Sequence, residues 1–306
     1  MKEERFSYRS EADGLEIRAL LVAPEGEVKA TLLMAHGIVE HKERYLPMMR
    51  FFAENGFACA MNDHRGYGES VKSDDDMGYT YERGAEGTLT DMRTLAQKLN
   101  ARYPGKKRFV YGHSMGSLCA VNYMQRFGSE INGVILSGLP ANNSAASVGK
   151  KYLKLKKKLK GARFRDESVN KLMFANYASR FKGETSSYSW ICADPESLRA
   201  YEADPKCGFL CTVDGYMSLL DLLTGAYERK NWKNVNNMLP VFIAVGADDP
   251  CAEGEKGAAE GEKYFKSVGF LRAEHKAYAD MRHEIHSERK KDEPLGDMLN
   301  RLIAWL

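Results

Sequence analysis

The sequence predicts an α/β fold: a mostly parallel central sheet with helices on both faces, interrupted once by a helical insertion. Three observations carry this prediction. Short, near-continuously apolar runs alternate with stretches of helical periodicity, as parallel strands covered on both faces require. A glycine-flanked turn sits directly between one such run and a helical stretch. The alternation stops after Pro140 and resumes at Val241. The composition is that of an ordinary globular chain. With 306 residues, 43% hydrophobic and 28% charged, it excludes a disordered chain, a collagen and a disulfide-stapled miniprotein.

Taken in order, residues 6–10 and 15–22 read as an antiparallel entry hairpin. Runs 31–35 and 57–61 read as buried strands. Between them Tyr45, Met48, Met49 and Phe52 form a helical stripe, with Gly56 as its stop. Met92, Leu95, Ala96 and Leu99 form a second stripe, ended by Pro104 and Gly105. Runs 108–111 and 134–136 are the next strands, and 241–245 and 271–278 the last two. Leu295, Met298, Leu299 and Leu302 mark a final helix. From 141 to 232 the patterns are helical, with no convincing strand. Such an insertion sits over the strand C-terminal ends, where open α/β sheets bind ligands. The expected organisation is therefore one core, 1–140 and 233–306, carrying a helical cap, 141–232.

The start of the chain is charged and leads into no apolar run, so no secretory signal is expected. No run approaches the ~18–20 apolar residues of a membrane-spanning helix. The six scattered cysteines are then expected to be reduced thiols of a cytoplasmic protein. Cys207 and Cys211 have a C-x3-C spacing, but no second pair follows to complete a zinc site. A net charge of +3 is too weak to argue for nucleic acid.

Chemistry concentrates at Gly112-His113-Ser114-Met115-Gly116, between the strand 108–111 and the helical stretch 117–126. Glycines let the chain turn sharply there, so the serine hydroxyl projects from the top of the sheet. The helix N-terminus then offers positive potential to a developing oxyanion. Serine needs a base and an orienting acid, in the chain order Ser, acid, His. Asp248 and Asp249 follow the strand 241–245 and compete for the acid. Asp249 is preferred, with Asp248 as a turn or capping residue. Of the downstream histidines, His275 lies in the last strand, and His286 is expected to enter a helix. His283, in the loop after that strand, is the expected base. His283 and His286 are spaced i, i+3 rather than the i, i+4 of a zinc-protease helix, so a metal reading is discounted. The oxyanion donors are expected to be the backbone N–H groups of Met115 and Ile38. His36 and Gly37 belong to the same loop as Ile38, with His36 as a structural imidazole that fixes it.

These residues bring out a resemblance to the α/β-hydrolases. Specifically, the sequence resembles the monoacylglycerol lipase and lysophospholipase group related to serine aminopeptidases. The segment 36–45 resembles that family's HG-x-x-EH-x-x-RY loop. Segment 63–70 resembles its D-x-R-G-x-G-x-S stretch, and 112–116 its GHSMG elbow. Asp249-Pro250 and His283-Glu284 fall where the family's acid and base fall. The stretches from Trp190 to Glu196 and from Tyr201 to Phe209 resemble the cap of bacterial members called lysophospholipases. The resemblance implies an α/β-hydrolase fold and a serine esterase with no metal or organic cofactor. It also implies a monoacylglycerol, lysophospholipid or similar small-molecule acyl ester as substrate. Two departures stand out. Ile38 and Val39 stand where relatives often carry smaller residues and are expected to narrow the acyl pocket. Cys251 follows Asp249-Pro250 where an aliphatic residue is common; it reads either as a small buried hydrophobe or as a thiol at the site mouth.

Seven of the 45 basic residues fall between Lys150 and Lys160, which leaves the remainder mildly acidic. Tyr152, Leu155 and Leu159 share a helical face in this run. The plain expectation is a solvated cap helix with its leucines packed over the active site; the alternative is transient contact with an anionic membrane surface. Other functions stay open at this point. An aminopeptidase or amidase would need an acidic cap residue such as Glu196, Glu202 or Asp204. A non-catalytic ligand receptor or a membrane-interaction module would not need the serine, acid and histidine together.

Overall fold

A computed structural model of the chain describes residues 1–233 and 235–306. It has an eight-stranded sheet in the order β1-β2-β4-β3-β5-β6-β7-β8. The hairpin β1 (Lys2–Arg9) and β2 (Glu16–Ala23) is antiparallel, and β2 meets β4 (Phe57–Asn62) antiparallel. From there on every pairing is parallel: β3 (Ala30–Ala35), β5 (Lys107–His113), β6 (Gly133–Ser137), β7 (Val241–Gly246) and β8 (Ala273–Tyr278). Strands β3, β4, β6 and β7 are buried at every position. This is why their sequences are apolar without alternation. Edge strand β1 is charged and mostly exposed, which discourages pairing with a further strand.

Helices α1 (Leu46–Glu54) and α9 (Asp292–Ala304) cover one face, packing Met49, Phe52, Met298 and Leu302 against β4 and β6 neighbours. Gly56, at φ 96°, ends the α1 connection as its position suggests. On the other face lie α2 (Gly84–Arg102), α3 (Met115–Phe127) and α8 (Gly254–Ser267). Helix α8 has no apolar stripe to announce it. Its buried side is Gly254, Ala258, Gly261 and Phe265. Small residues let it lie close on the sheet; a Cβ on Gly261 would come within 3.1 Å of Ile243.

Between β6 and β7 run α4 (Ala146–Lys160), α5 (Glu167–Ala178), α6 (Pro195–Ala203) and α7 (Val213–Tyr227). Three of these helices have side-chain N-caps: Asp166, Asp194 and Thr212 each accept an N–H from the first turn. The expectation that the α4 leucines pack inward holds only for Leu153. Leu155 and Leu159 are 55% and 69% exposed, because their face points away from α7. His286 does not enter a helix. It lies in a turn before α9, buried and stacked on Tyr45 at a 4.8 Å ring separation. Among the described residues no helix is long and apolar enough to cross a membrane.

Candidate active site

Parallel pairing sends the C-terminal ends of β3, β5, β7 and β8 to one edge of the sheet. The loops that follow them carry residues 36–41, Ser114, Asp249 and His283. Four segments far apart in sequence are thereby collected in one place.

Ser114 sits at φ 53°, ψ −119°, between β5 and α3. A non-glycine residue there carries about 1–3 kcal/mol of backbone strain. The surroundings enforce the conformation. Ser114 N–H donates to the Ser137 carbonyl at 2.9 Å, and the Ser114 carbonyl accepts from Ser117 and Leu118 N–H at 2.9 and 3.2 Å. A Cβ on Gly112 would strike the Gly116 carbonyl, and one on Gly116 the Ala35 carbonyl. Only glycine fits at either position.

His283 Nδ1 donates to Asp249 Oδ2 at 2.8 Å, with both side chains buried. Asp249 Oδ1 accepts the N–H groups of Cys251 (2.8 Å) and Ala252 (3.1 Å), so the carboxylate is held at both oxygens. Asp248 is exposed in the same turn and makes no approach to the imidazole. Burial pushes His283 toward neutrality, but the Asp249 charge outweighs it and raises its pKa. The opposite nitrogen, Nε2, is buried with no hydrogen-bond partner among the described residues. His283 and Ser114 line the same cavity.

Loop 36–41 is rigid for identifiable reasons. His36 Nε2 accepts the His64 N–H at 2.9 Å, so its Nδ1 carries the proton and donates to the Gly37 carbonyl at 2.7 Å. Burial drives its pKa down to about 3, so this imidazole stays neutral and structural. Gly37 N–H donates to Glu40, and a Cβ on Gly37 would collide with that carboxylate. Val39 is at φ 51°, an unusual place for a β-branched residue. Its carbonyl is fixed by Gly208 N–H at 2.9 Å and Tyr201 OH at 3.2 Å. The N–H groups of Ile38 and Met115 have no backbone acceptor among the described residues.

Two features went unread in the sequence. Arg44 donates two bonds to Glu284, at 2.8 and 2.6 Å, and one to Glu40. This buried bridge joins loop 36–41 to the segment carrying His283. Burial raises the Glu40 carboxyl, while the paired bonds from Arg44 overcome burial and hold Glu284 low. Arg44→Met would leave two carboxylates buried without their cation, so a stability loss of about 3–5 kcal/mol is expected, read by urea denaturation. The second feature is Trp190, whose ring centroid lies 5.0 Å from that of His283. The carbonyls of Trp190 and Ile191 accept the N–H groups of His283 (3.4 Å) and Glu284 (2.7 Å). The E-x-x-x-R charge spacing in 36–45 was a usable signal for the first; nothing in sequence separation signals the second.

Two cavities meet at Ser114, sharing Ile38, Phe174 and Trp190. One, about 390 Å³, sets the polar side chains of Glu40, Asn170, Ser187 and Glu284 among apolar ones such as Val39, Ile191 and Phe209. The other, about 670 Å³, is lined mainly by Leu118, Val148, Leu172, Met173, Leu219 and Leu223. Cys251 lines this larger cavity as a partly exposed thiol, with its pKa pushed up by burial and by Asp249. Glu196, Glu202 and Asp204 line neither cavity.

The sheet, the strained serine turn and the loops gathered at one edge define an α/β-hydrolase. The family model for serine aminopeptidase, S33, matches residues 26–290, and the chain belongs to that family. It is 28% identical over 182 residues to a monoacylglycerol lipase from Mycolicibacterium smegmatis, covering 60% of this chain and 58% of that one. It is 26% identical over 117 residues to a probable lysophospholipase L2 from Haemophilus influenzae, covering 38% and 37%. These alignments span under two thirds of either relative's length. A thermostable carboxyl esterase from Bacillus coagulans superposes with a TM-score of 0.92 at 24% identity over 99% of both chains.

Proposed function

We propose that this protein is a serine hydrolase that cleaves carboxylic esters of single-chain lipids, of the monoacylglycerol or lysophospholipid type. The observation that carries the reading is the position of Ser114 at the junction of two cavities, the larger lined mainly by apolar side chains and the smaller by a mixture of apolar and polar ones. An amphiphile with a single ester divides at that junction. Its acyl chain fills the larger chamber and its alcohol the smaller one. The lipase and lysophospholipase relatives support the same substrate class.

In this reading Ser114 Oγ attacks the ester carbonyl as His283 Nε2 takes its proton. Asp249 holds the imidazole in the Nδ1–H tautomer and stabilises the imidazolium. The Ile38 and Met115 N–H groups bind the oxyanion. His283 returns the proton to the leaving alcohol, and an acyl-enzyme remains. Water, deprotonated by His283, then releases the acid and restores Ser114. Residues 141–232 act as a cap that walls both chambers. The test is a panel of monoacylglycerols and lysophospholipids of graded chain length beside an aminoacyl amide. Turnover of the esters, with the amide inert, is expected; the reverse preference would make the enzyme an aminopeptidase or amidase.

The same reading gives α4 a role at a lipid surface. Val148, Tyr152, Leu155, Leu159 and, from α5, Leu172 form an exposed apolar patch, and three of them also line the larger cavity. Lys151, Lys154, Lys158 and Lys160 flank it with no carboxylate within ion-pair distance among the described residues, whereas Lys150, Lys156 and Lys157 are paired. Binding to anionic vesicles is expected to fall steeply with salt. Changing the four unpaired lysines to Gln should abolish it in a sedimentation assay; unchanged binding would refute the role.

A further inference from the structure

We propose that His41, Asp204 and Cys207 form a binding site for a thiophilic divalent metal ion such as Zn2+, distinct from the reaction centre. The three donors, an imidazole Nε2, a carboxylate oxygen and a thiol Sγ, all lie within 4.8 Å of one another. His41 Nε2 already meets Asp204 Oδ2 at 2.8 Å. Tetrahedral zinc with bonds of ~2.0–2.3 Å sets its ligand atoms roughly 3.3–3.8 Å apart. With one pair at 2.8 Å and none beyond 4.8 Å, side-chain rotation brings the three donors to that spacing.

The donors are held from both sides. Asp204 and Cys207 share one tight turn, closed by Cys207 N–H on the Asp204 carbonyl at 2.9 Å. Lys206 N–H occupies Asp204 Oδ1 at 2.8 Å, which directs Oδ2 at His41. The next residue, Gly208, is tied by its N–H to the Val39 carbonyl at 2.9 Å, two residues from His41. His41 and Cys207 are only 7% and 8% exposed, while Asp204 is half-buried and open to solvent in part.

The charges also fit. A thiolate and a carboxylate would balance a divalent cation. The neighbouring cations are engaged elsewhere: Arg44 by Glu40 and Glu284, and Lys206 with Glu69 at 3.6 Å. The second close cluster, Glu40, His113 and Glu284, lacks this property, because Arg44 already neutralises its carboxylates. Cys211, four residues beyond Cys207, turns instead to Tyr67 OH at 3.7 Å. A bound ion would join loop 36–41, which carries the Ile38 N–H, to the segment whose Tyr201, Gly208 and Phe209 wall the smaller cavity.

The test is titration of the reduced, chelator-stripped full chain with Co2+, which reports thiolate ligation by near-ultraviolet charge-transfer absorption. One equivalent giving that band, displaced by Zn2+, is expected. Cys207→Ser should lose the band and Cys211→Ser should keep it. Absence of the band in the parent protein, or its survival in Cys207→Ser, would overturn the site. Zn2+ should also raise the thermal midpoint of the parent by preferential binding to the native state. His41→Gln should lose that shift, and an equal shift in His41→Gln would overturn the site even if the serine variant failed to fold. None of these readings uses ester turnover, so they stand or fall apart from the hydrolase proposal.

Discussion

Ser114→Ala is expected to reduce kcat for an activated acyl ester about 10^6-fold, equivalent to ~8 kcal/mol of barrier. The effect is this large because no other group at the junction of the two cavities is placed to take its role. The thiol that lines the larger cavity, Cys251, is held protonated by burial and by Asp249. The fold should survive. Ser114 is fixed through its backbone, by the Ser137 carbonyl and by its own carbonyl at the start of α3, and alanine keeps those bonds. Turnover of a nitrophenyl ester and labelling by a fluorophosphonate probe check the prediction together. Substantial turnover by a folded Ser114→Ala protein would falsify the acyl-enzyme reading.

Asp249→Asn is expected to cost about 10^4-fold in kcat. The amide would present an N–H to His283 or lose the acceptor that fixes the Nδ1–H tautomer, so Nε2 would no longer be ready to take the serine proton. A pH profile separates this from simple misfolding. The base must be neutral to act, so kcat/KM falls as pH drops through the His283 pKa. In the parent protein the Asp249 charge holds that pKa above the ordinary imidazole value, against burial. The acid limb should therefore lie at higher pH than free imidazole would give. Without that charge burial is opposed only by the weaker pull of Glu284 and Glu40, and the limb should move to lower pH. An unmoved limb in Asp249→Asn would show that another group sets it.

How much of this was legible in the sequence depends on the range of the interaction involved. The parallel strands were readable because burial on both faces leaves an apolar run with no alternation. The serine turn was readable because its glycines are demanded locally: a Cβ at Gly112 or Gly116 meets backbone one turn away or on the neighbouring strand. Helix α8 was not readable, since its buried side is made of glycine, alanine and one phenylalanine. Tertiary contact, and no stripe of its own, holds it on the sheet. The α4 leucines were misjudged for a related reason. Periodicity places Tyr152, Leu155 and Leu159 on one face but does not say whether that face meets protein or solvent.

The sequence by itself determined the α/β class, the strained turn at Ser114 and the chemical types that could serve it. Those rest on steric and hydrophobic patterns spanning a few residues. Only the tertiary structure decided that Asp249 and not Asp248 faces His283, and that Arg44 bridges Glu40 and Glu284. It alone set Trp190 beside the imidazole, and His41 against Asp204 and Cys207 across 163 residues of chain. Such pairings depend on which loops the parallel sheet delivers to the same edge, and a linear pattern of residue types carries no record of that distance.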